Sequence, residues 1–238
     1  MHKSFLLVAA LSLISCEEES TPHKYEVQYY GAMKNMMMEG DLTATATLTE
    51  FEAVENLYAL GAMEDLKGEI QIFNSKAMNS IVQNDSVKID TSYDYKSALF
   101  VFAQVPSWKR VNIPDTVTTA QSLENFIARA AGENEQDMEE PFPFLLEGEV
   151  SSLEWHVIDW KEGDSIHTPQ KHRESGLQGT LSEEQVAVVG FYSRSHHRIF
   201  THHSSNVHMH FKNEDESLAG HIDELSPKKM TLLLPGAP

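Results

Sequence analysis

In Asn206-Val207-His208-Met209-His210-Phe211, apolar side chains alternate with imidazoles, a period of two that calls for an extended strand with two unlike faces. Val207, Met209 and Phe211 share one face, and His208 and His210 share the other. Residues two apart on a strand have Cα atoms roughly 6 to 7 Å apart, so both imidazoles can reach one ion. Asn213 to Ser217 reads as a turn, and Leu218 to Leu225 as a returning strand. A hairpin loop with an even number of residues puts His221 on the same side as the other two. Three neutral imidazoles with an open position form a usual catalytic ligand set for zinc or a similar metal. A His-x-His pair alone is more often incidental; the third histidine, on a pairing strand, is what points to a metal. His196, His197, His202 and His203 lie before the strand in a loop rich in Ser and Arg, and are read as solvated or hydrogen-bonded there rather than as ligands.

The start of the chain reads as an export signal rather than as fold. Lys3 gives a positive n-region, Phe5 to Leu11 an apolar run too short to span a bilayer as a mature helix, and Leu13-Ile14-Ser15 precedes Cys16. Leu-Ile-Ser-Cys resembles the bacterial lipobox, which implies cleavage before Cys16 and a diacylglycerol on its thiol. Residues 1–15 are then a signal peptide and 16–23 an acidic tether, and the protein is expected to be exported and lipid-anchored in the bacterial cell envelope. Cys16 is the only cysteine, so no intramolecular disulfide can form. The net charge of −18 argues against nucleic acid as a partner and gives no grip on anionic lipid, leaving the acyl chains as the sole membrane attachment. An anionic substrate would need a locally positive site, which a metal ion supplies.

Between these ends the chain reads as about ten strands and one good helix, hence strand-rich α+β. Asn56 to Gly68 suggests a compact loop bracketed by Gly61 and Gly68. Glu69 to Phe73 follows as a strand, with Ile70 and Ile72 on one face and Glu69 and Gln71 on the other. Met36-Met37-Met38 is read as packing or loop. Leu99 to Phe102 is a strand buried on both faces, and Ser107 to Ile113 an exposed extended segment. Thr118 to Ala131 is the helix, with Leu123, Phe126, Ile127 and Ala130 on one stripe, Thr118 or Thr119 as cap and Gly132 as stop. Gly148 to Trp160 is a long strand on which Val150, Glu154 and His156 share parity. Gly163 to Gly179 is loop-like, and Lys228 to Leu234 closes the chain as a separate strand. An acidic, Pro-containing stretch at Glu133 to Pro143 divides the protein into a sheet domain over residues 24–140 and a metal-binding sheet domain over 141–238.

Asn56-Leu57-Tyr58-Ala59-Leu60-Gly61, Leu66-Lys67-Gly68-Glu69-Ile70, Glu147-Gly148-Glu149-Val150, His208-Met209-His210 and Gly220-His221 together resemble the bacterial acetolactate decarboxylase family. The resemblance covers about Leu48 to Leu225. It implies a two-part fold with a mixed N-terminal sheet and a mainly antiparallel C-terminal sheet, dimeric through the first. It implies decarboxylation of 2-acetolactate to acetoin. It carries the three metal histidines onto His208, His210 and His221, and a first-domain glutamate onto Glu69. Two positions depart from the family. His156 stands where the family has a site arginine, and Met230 to Pro238 has no carboxylate to match the family's C-terminal glutamate. His156 lacks a guanidinium's planar fork but can donate a proton. The expected protein is a zinc-dependent decarboxylase of a small hydroxy-keto acid, with His156 and Glu69 catalytic. The alternative is an envelope lipoprotein that binds metal on the same scaffold without the activity.

Overall fold

The computed structural model describes residues 25–236. The expected signal peptide, Cys16 and tether lie outside them. The first sheet comprises β1 (Gln28–Tyr30), β2 (Ala46–Thr47), β3 (Leu57–Met63), β4 (Glu69–Phe73), β5 (Lys76–Ala77), β6 (Asn79–Gln83), β7 (Ser86–Asp90) and β8 (Lys96–Gln104). Its order is β1-β8-β3-β4-β6-β7, with β2 on β8 and β5 on β4. The second comprises β9 (Trp108–Asn112), β10 (Phe142–Val157), β11 (Leu177–Leu181), β12 (Glu184–Tyr192), β13 (Val207–Asn213) and β14 (Ala219–Pro235). The strand-rich α+β class and two-part architecture are as expected. The first sheet is antiparallel, however, where a mixed one was expected. Neighbours such as β3–β4 and β6–β7 are joined by turns far shorter than the dozen or more residues that a parallel crossover needs.

The second sheet closes on itself. β10 pairs with β12 along one edge and with β14 along the other, while β13 bridges β12 and β14. Phe144, Leu146, Val188, Phe211, Leu225 and Leu232 fill the inside together with the apolar stripe of α1 (Ala120–Glu133). Thr119 caps α1 through a reciprocal pair with Ser122. The helix runs through Gly132 and ends at Asn134, whose side chain bonds the Ala130 carbonyl at 2.7 Å. The outer wall of the closed sheet, with Leu145, Val189, Phe191 and Leu233, packs on Tyr58, Leu60, Leu99 and Val101 of the first sheet. The candidate site lies in this seam.

Several segments differ from the sequence reading for identifiable reasons. Gly61 sits inside β3, not at a loop edge: a Cβ there would lie 1.9 Å from the Leu99 carbonyl oxygen, so glycine marks a close strand approach. Ser107 to Ile113 supplies β9, an edge strand on β14, so with α1 it joins the second layer well before residue 140. Gly163 to Gly179 contains α2 (Pro169–Glu174), capped by Thr168, and part of β11. The segments 218–225 and 228–234 are one strand, since Pro227 falls at a register shift against β10. β10 itself carries an extra residue at Ser151, which has no register partner on β14 while Val150 opposes Pro227 and Ser152 opposes Ser226; its hydroxyl donates to the Ser226 carbonyl at 3.0 Å. That bulge turns the strand over. Val150, Leu153 and Trp155 therefore face the interior, and His156 faces the other way, against the expected shared parity with Val150. Among the described residues no helix is long and apolar enough to cross a membrane.

Candidate metal centre

β13 and β14 form the hairpin that the histidine spacing required. His210 lies directly opposite His221, and His208 is two residues back along β13. The three rings converge. His208 Nε2, His210 Nε2 and His221 Nδ1 are mutually 3.2 Å apart. His210 is fully buried and His208 nearly so. Burial drives the His208 imidazole down to about 3, while a backbone contact with Phe200 pulls the other way. Burial, reinforced by the neighbouring imidazoles, holds His210 and His221 well below the usual histidine range. At neutral pH all three are uncharged, with lone pairs free for a Lewis acid.

A chain of hydrogen bonds selects the tautomer of His210. Ser80 Oγ donates to the Ala219 carbonyl at 2.7 Å and so accepts from Gln71 Nε2 at 2.6 Å. Gln71 Nε2 also donates to the Met78 carbonyl. Gln71 Oε1 is left as an acceptor, and His210 Nδ1 donates to it at 3.1 Å. The lone pair of His210 Nε2 therefore points into the cluster. Gln71 stands two residues beyond Glu69 on β4, so one strand of the first sheet presents both polar side chains to the histidine wall.

Glu69 is 4% exposed, and its carboxyl is held well above the usual carboxylate range by burial, opposed by the Ile158 N–H and reinforced by Asp223. Its Oε1 accepts from Ile158 N at 3.3 Å and lies 3.8 Å from His156 Nε2; its Oε2 lies 3.9 Å from His210 Nε2. His156 is buried beside His221, with ring centroids 4.7 Å apart, and its Nδ1 is 2.9 Å from Asp223 Oδ2. His156, His221 and Asp223 could also converge on an ion. The structure thus brings together all five predicted side chains in its described part. Asp223, Gln71 and Ser80 were missed. Gln71 shares strand parity with Glu69 and so carried a signal in its spacing, whereas Asp223 is skipped at a register shift between β14 and β10.

The loop histidines divide into two pairs. His196 Nδ1 is 2.8 Å from Ser193 Oγ, and His197 Nε2 is 3.0 Å from Asn206 Oδ1, both away from the cluster. His202 and His203 are exposed at the rim of a cavity of about 370 Å³ that is also lined by His208, His210 and His221. Arg173, Arg198 and His172 also line it, and the other side is walled by methionines. His172, hydrogen-bonded to His167 at 2.9 Å, is pushed down to about 4 by burial and then by neighbouring positive groups.

A family model described as alpha-acetolactate decarboxylase matches residues 28–235. Among solved structures, the fold is similar to a Staphylococcus aureus protein of unknown function described as similar to alpha-acetolactate decarboxylase, with TM-score 0.69 and 15% identity over 87% of this chain and 84% of that one. It is also similar to alpha-acetolactate decarboxylase from Bacillus subtilis strain 168, with TM-score 0.68 and 13% identity over 89% and 86% of the two chains. The enzyme from Bacillus subtilis subspecies spizizenii gives TM-score 0.70 and 14% identity over 88% and 85%. Comparison with curated protein sequences gave no match.

Proposed function

The chain belongs to the alpha-acetolactate decarboxylase family, and on that premise we propose that it decarboxylates 2-acetolactate, or a similar 2-hydroxy-3-keto acid, to acetoin or its homologue and carbon dioxide. The observation that carries this reading is the triangle of imidazole nitrogens with 3.2 Å edges. A tetrahedral zinc with Zn–N bonds of about 2.0–2.1 Å has ligand–ligand edges of about 3.3 Å. His208, His210 and His221 would hold zinc or another divalent transition metal and leave a side open toward the cavity. When bound, the metal supplies a Lewis acid that draws electron density from the ketone and hydroxyl oxygens as the carboxylate departs.

The remaining work falls to the chain's own side chains. The bond between C2 and the carboxyl carbon breaks, carbon dioxide leaves, and the electron pair remains as an enediolate that must take up a proton. Glu69 and His156 face each other across the seam and are the donors proposed here. Burial raises the Glu69 carboxyl well above the usual carboxylate range and so favours its protonated form. Asp223 holds the His156 ring with Nε2 aimed toward Glu69. Arg173 and Arg198 place permanent positive charge on the cavity wall, which suits a substrate carboxylate in a chain of net charge −18. Purified protein with added zinc should release carbon dioxide and acetoin from acetolactate, and His208→Ala should abolish this. Turnover equal to that of metal-free protein would overturn the assignment.

The same proposal includes an exported homodimer anchored through Cys16 by lipid, on the strength of the Leu13-Ile14-Ser15-Cys16 sequence and of family resemblance. Radiolabelled fatty acid should enter wild-type protein but not Cys16→Ala, and light scattering should give twice the chain mass. The exposed His202 and His203 at the rim favour, as a second reading, metal capture without turnover. Zinc bound tightly with no carbon dioxide released from any keto acid would select it.

A further inference from the structure

The cavity wall is of two kinds. His156, His208, His210, His221, Glu69 and Asp223 gather at the seam, and Met33, Met36, Met37 and Met38 with Leu66 and Leu99 make a mainly apolar lobe, in which Lys34 and Arg198 are the charged neighbours. Met36 is packed into the core, but Met38 is 73% exposed. Met36 to Met38 sit on a five-residue π-helix, Asn35–Glu39, and short π segments recur at functional sites. The backbone around them is fixed: Met33 N and Lys34 N donate to the Ile199 and Arg198 carbonyls at 2.8 Å, and Gly40 N, in a left-handed cap, bonds the Asn35 carbonyl. The side chains are unbranched thioethers that adapt to varied apolar shapes. Ala62, directly opposite Glu69 on the neighbouring strand, also lines the cavity with a single methyl.

Acetolactate has nine non-hydrogen atoms, about the volume of four to five waters at about 30 Å³ each. A cavity of about 370 Å³ exceeds that more than twofold. The methionine and leucine side chains in the lining offer water few polar partners, so volume beside them is suited to carbon. We infer that the preferred substrate is a 2-hydroxy-3-keto acid bearing an apolar arm of several carbons, its hydroxyl, ketone and carboxylate held at the histidine end and its arm laid along the methionine lobe. This inference deepens the decarboxylase reading and rests on it.

Two series of ligands separate the inference from that reading. The first is acetolactate and homologues whose ketone-side methyl is extended to propyl and pentyl. The second is the matching 2-hydroxy-2-methylalkanoates, which lack the ketone and cannot be decarboxylated. With zinc-loaded protein, kcat/KM in the first series and affinity by calorimetry in the second should rise about fourfold per added methylene, the effect of burying one CH2. Met38→Asp should flatten the trend by at least about fivefold between the methyl and pentyl members. Met38, being exposed, can be changed without threatening the fold. Release of carbon dioxide from acetolactate with no gain from longer arms in either series overturns the inference and leaves the decarboxylase reading standing. Affinity that grows with chain length while no keto acid is decarboxylated overturns the decarboxylase reading and, with it, the assignment of these acids as substrates, leaving an apolar binding lobe alone. Absence of both binding and turnover overturns the two together.

Discussion

At the scale of single residues, the site depends on side chains that hold others in place. Gln71 fixes one histidine tautomer through a single amide, so Gln71→Leu should weaken zinc binding about 10–100-fold with the histidines intact, as loss of an outer partner does elsewhere. Equilibrium dialysis checks this, and His208→Ala should lose more. The ionisable groups pull stability in opposite directions. His208, His210 and His221 have depressed values in the fold, so as pH falls below 6.5 the unfolded chain takes protons first. Their contribution is fully present above 6.5 and is lost as pH falls toward the folded values, about 3 for His208. Glu69 is raised in the fold, so its contribution is present below 4.5 and is lost as pH rises through its folded value. Metal-free Glu69→Gln should therefore unfold at higher denaturant than metal-free wild type at pH 7.5, with the advantage shrinking at pH 4. Denaturation followed by tryptophan fluorescence at both pH values decides it. The histidine triad was legible because its signal is local: two residues of alternation, then an even-numbered hairpin. Asp223 was as close in sequence, but its partner His156 is 67 residues away, and no local pattern joins them.

At the scale of elements, irregularities place the chemistry. The extra residue at Ser151 reverses the facing of the rest of β10, and without it His156 would point into the closed sheet's interior. A bulge of this kind has no compositional signature, which is why parity counted from Val150 chose the wrong face. Glycines, by contrast, are visible in the sequence while their reasons are not. Gly61 and Gly148 lie where a Cβ would come within 1.9 and 2.1 Å of the Leu99 and Lys229 carbonyl oxygens, and Gly148 also has a φ of 137°. Gly132 in α1 has open space around it and no positive φ. Gly132→Ala should thus raise stability by about 0.5–1 kcal/mol, the gap between these residues inside helices. Gly61→Ala should lower it by about 1–3 kcal/mol, as overpacking does. Urea unfolding of the two variants measures both; equal effects would mean the close approach of β3 and β8 is not real.

At the scale of the whole molecule, the strand-rich class followed from the prevalence of alternation. The closure of the second sheet and the recruitment of β9 to it did not, because pairings such as Trp108 with Pro235 span more than half the chain and leave no trace in short windows. The seam between the layers contains donors of two kinds. His208, His210 and His221 come from one hairpin, separated by at most 13 residues, whereas Gln71 stands 139 residues from His210. The ligand set is therefore topologically local and the rest of the site is not. A hairpin closes within microseconds, long before contacts that remote can form. An ion present during refolding would then bind the hairpin early and cross-link it while the first sheet is still unstructured, so zinc should speed folding as well as slow unfolding. Stopped-flow refolding with and without zinc would show it in the folding limb, and a change confined to the unfolding limb would mean that the ion arrives only after the layers have docked.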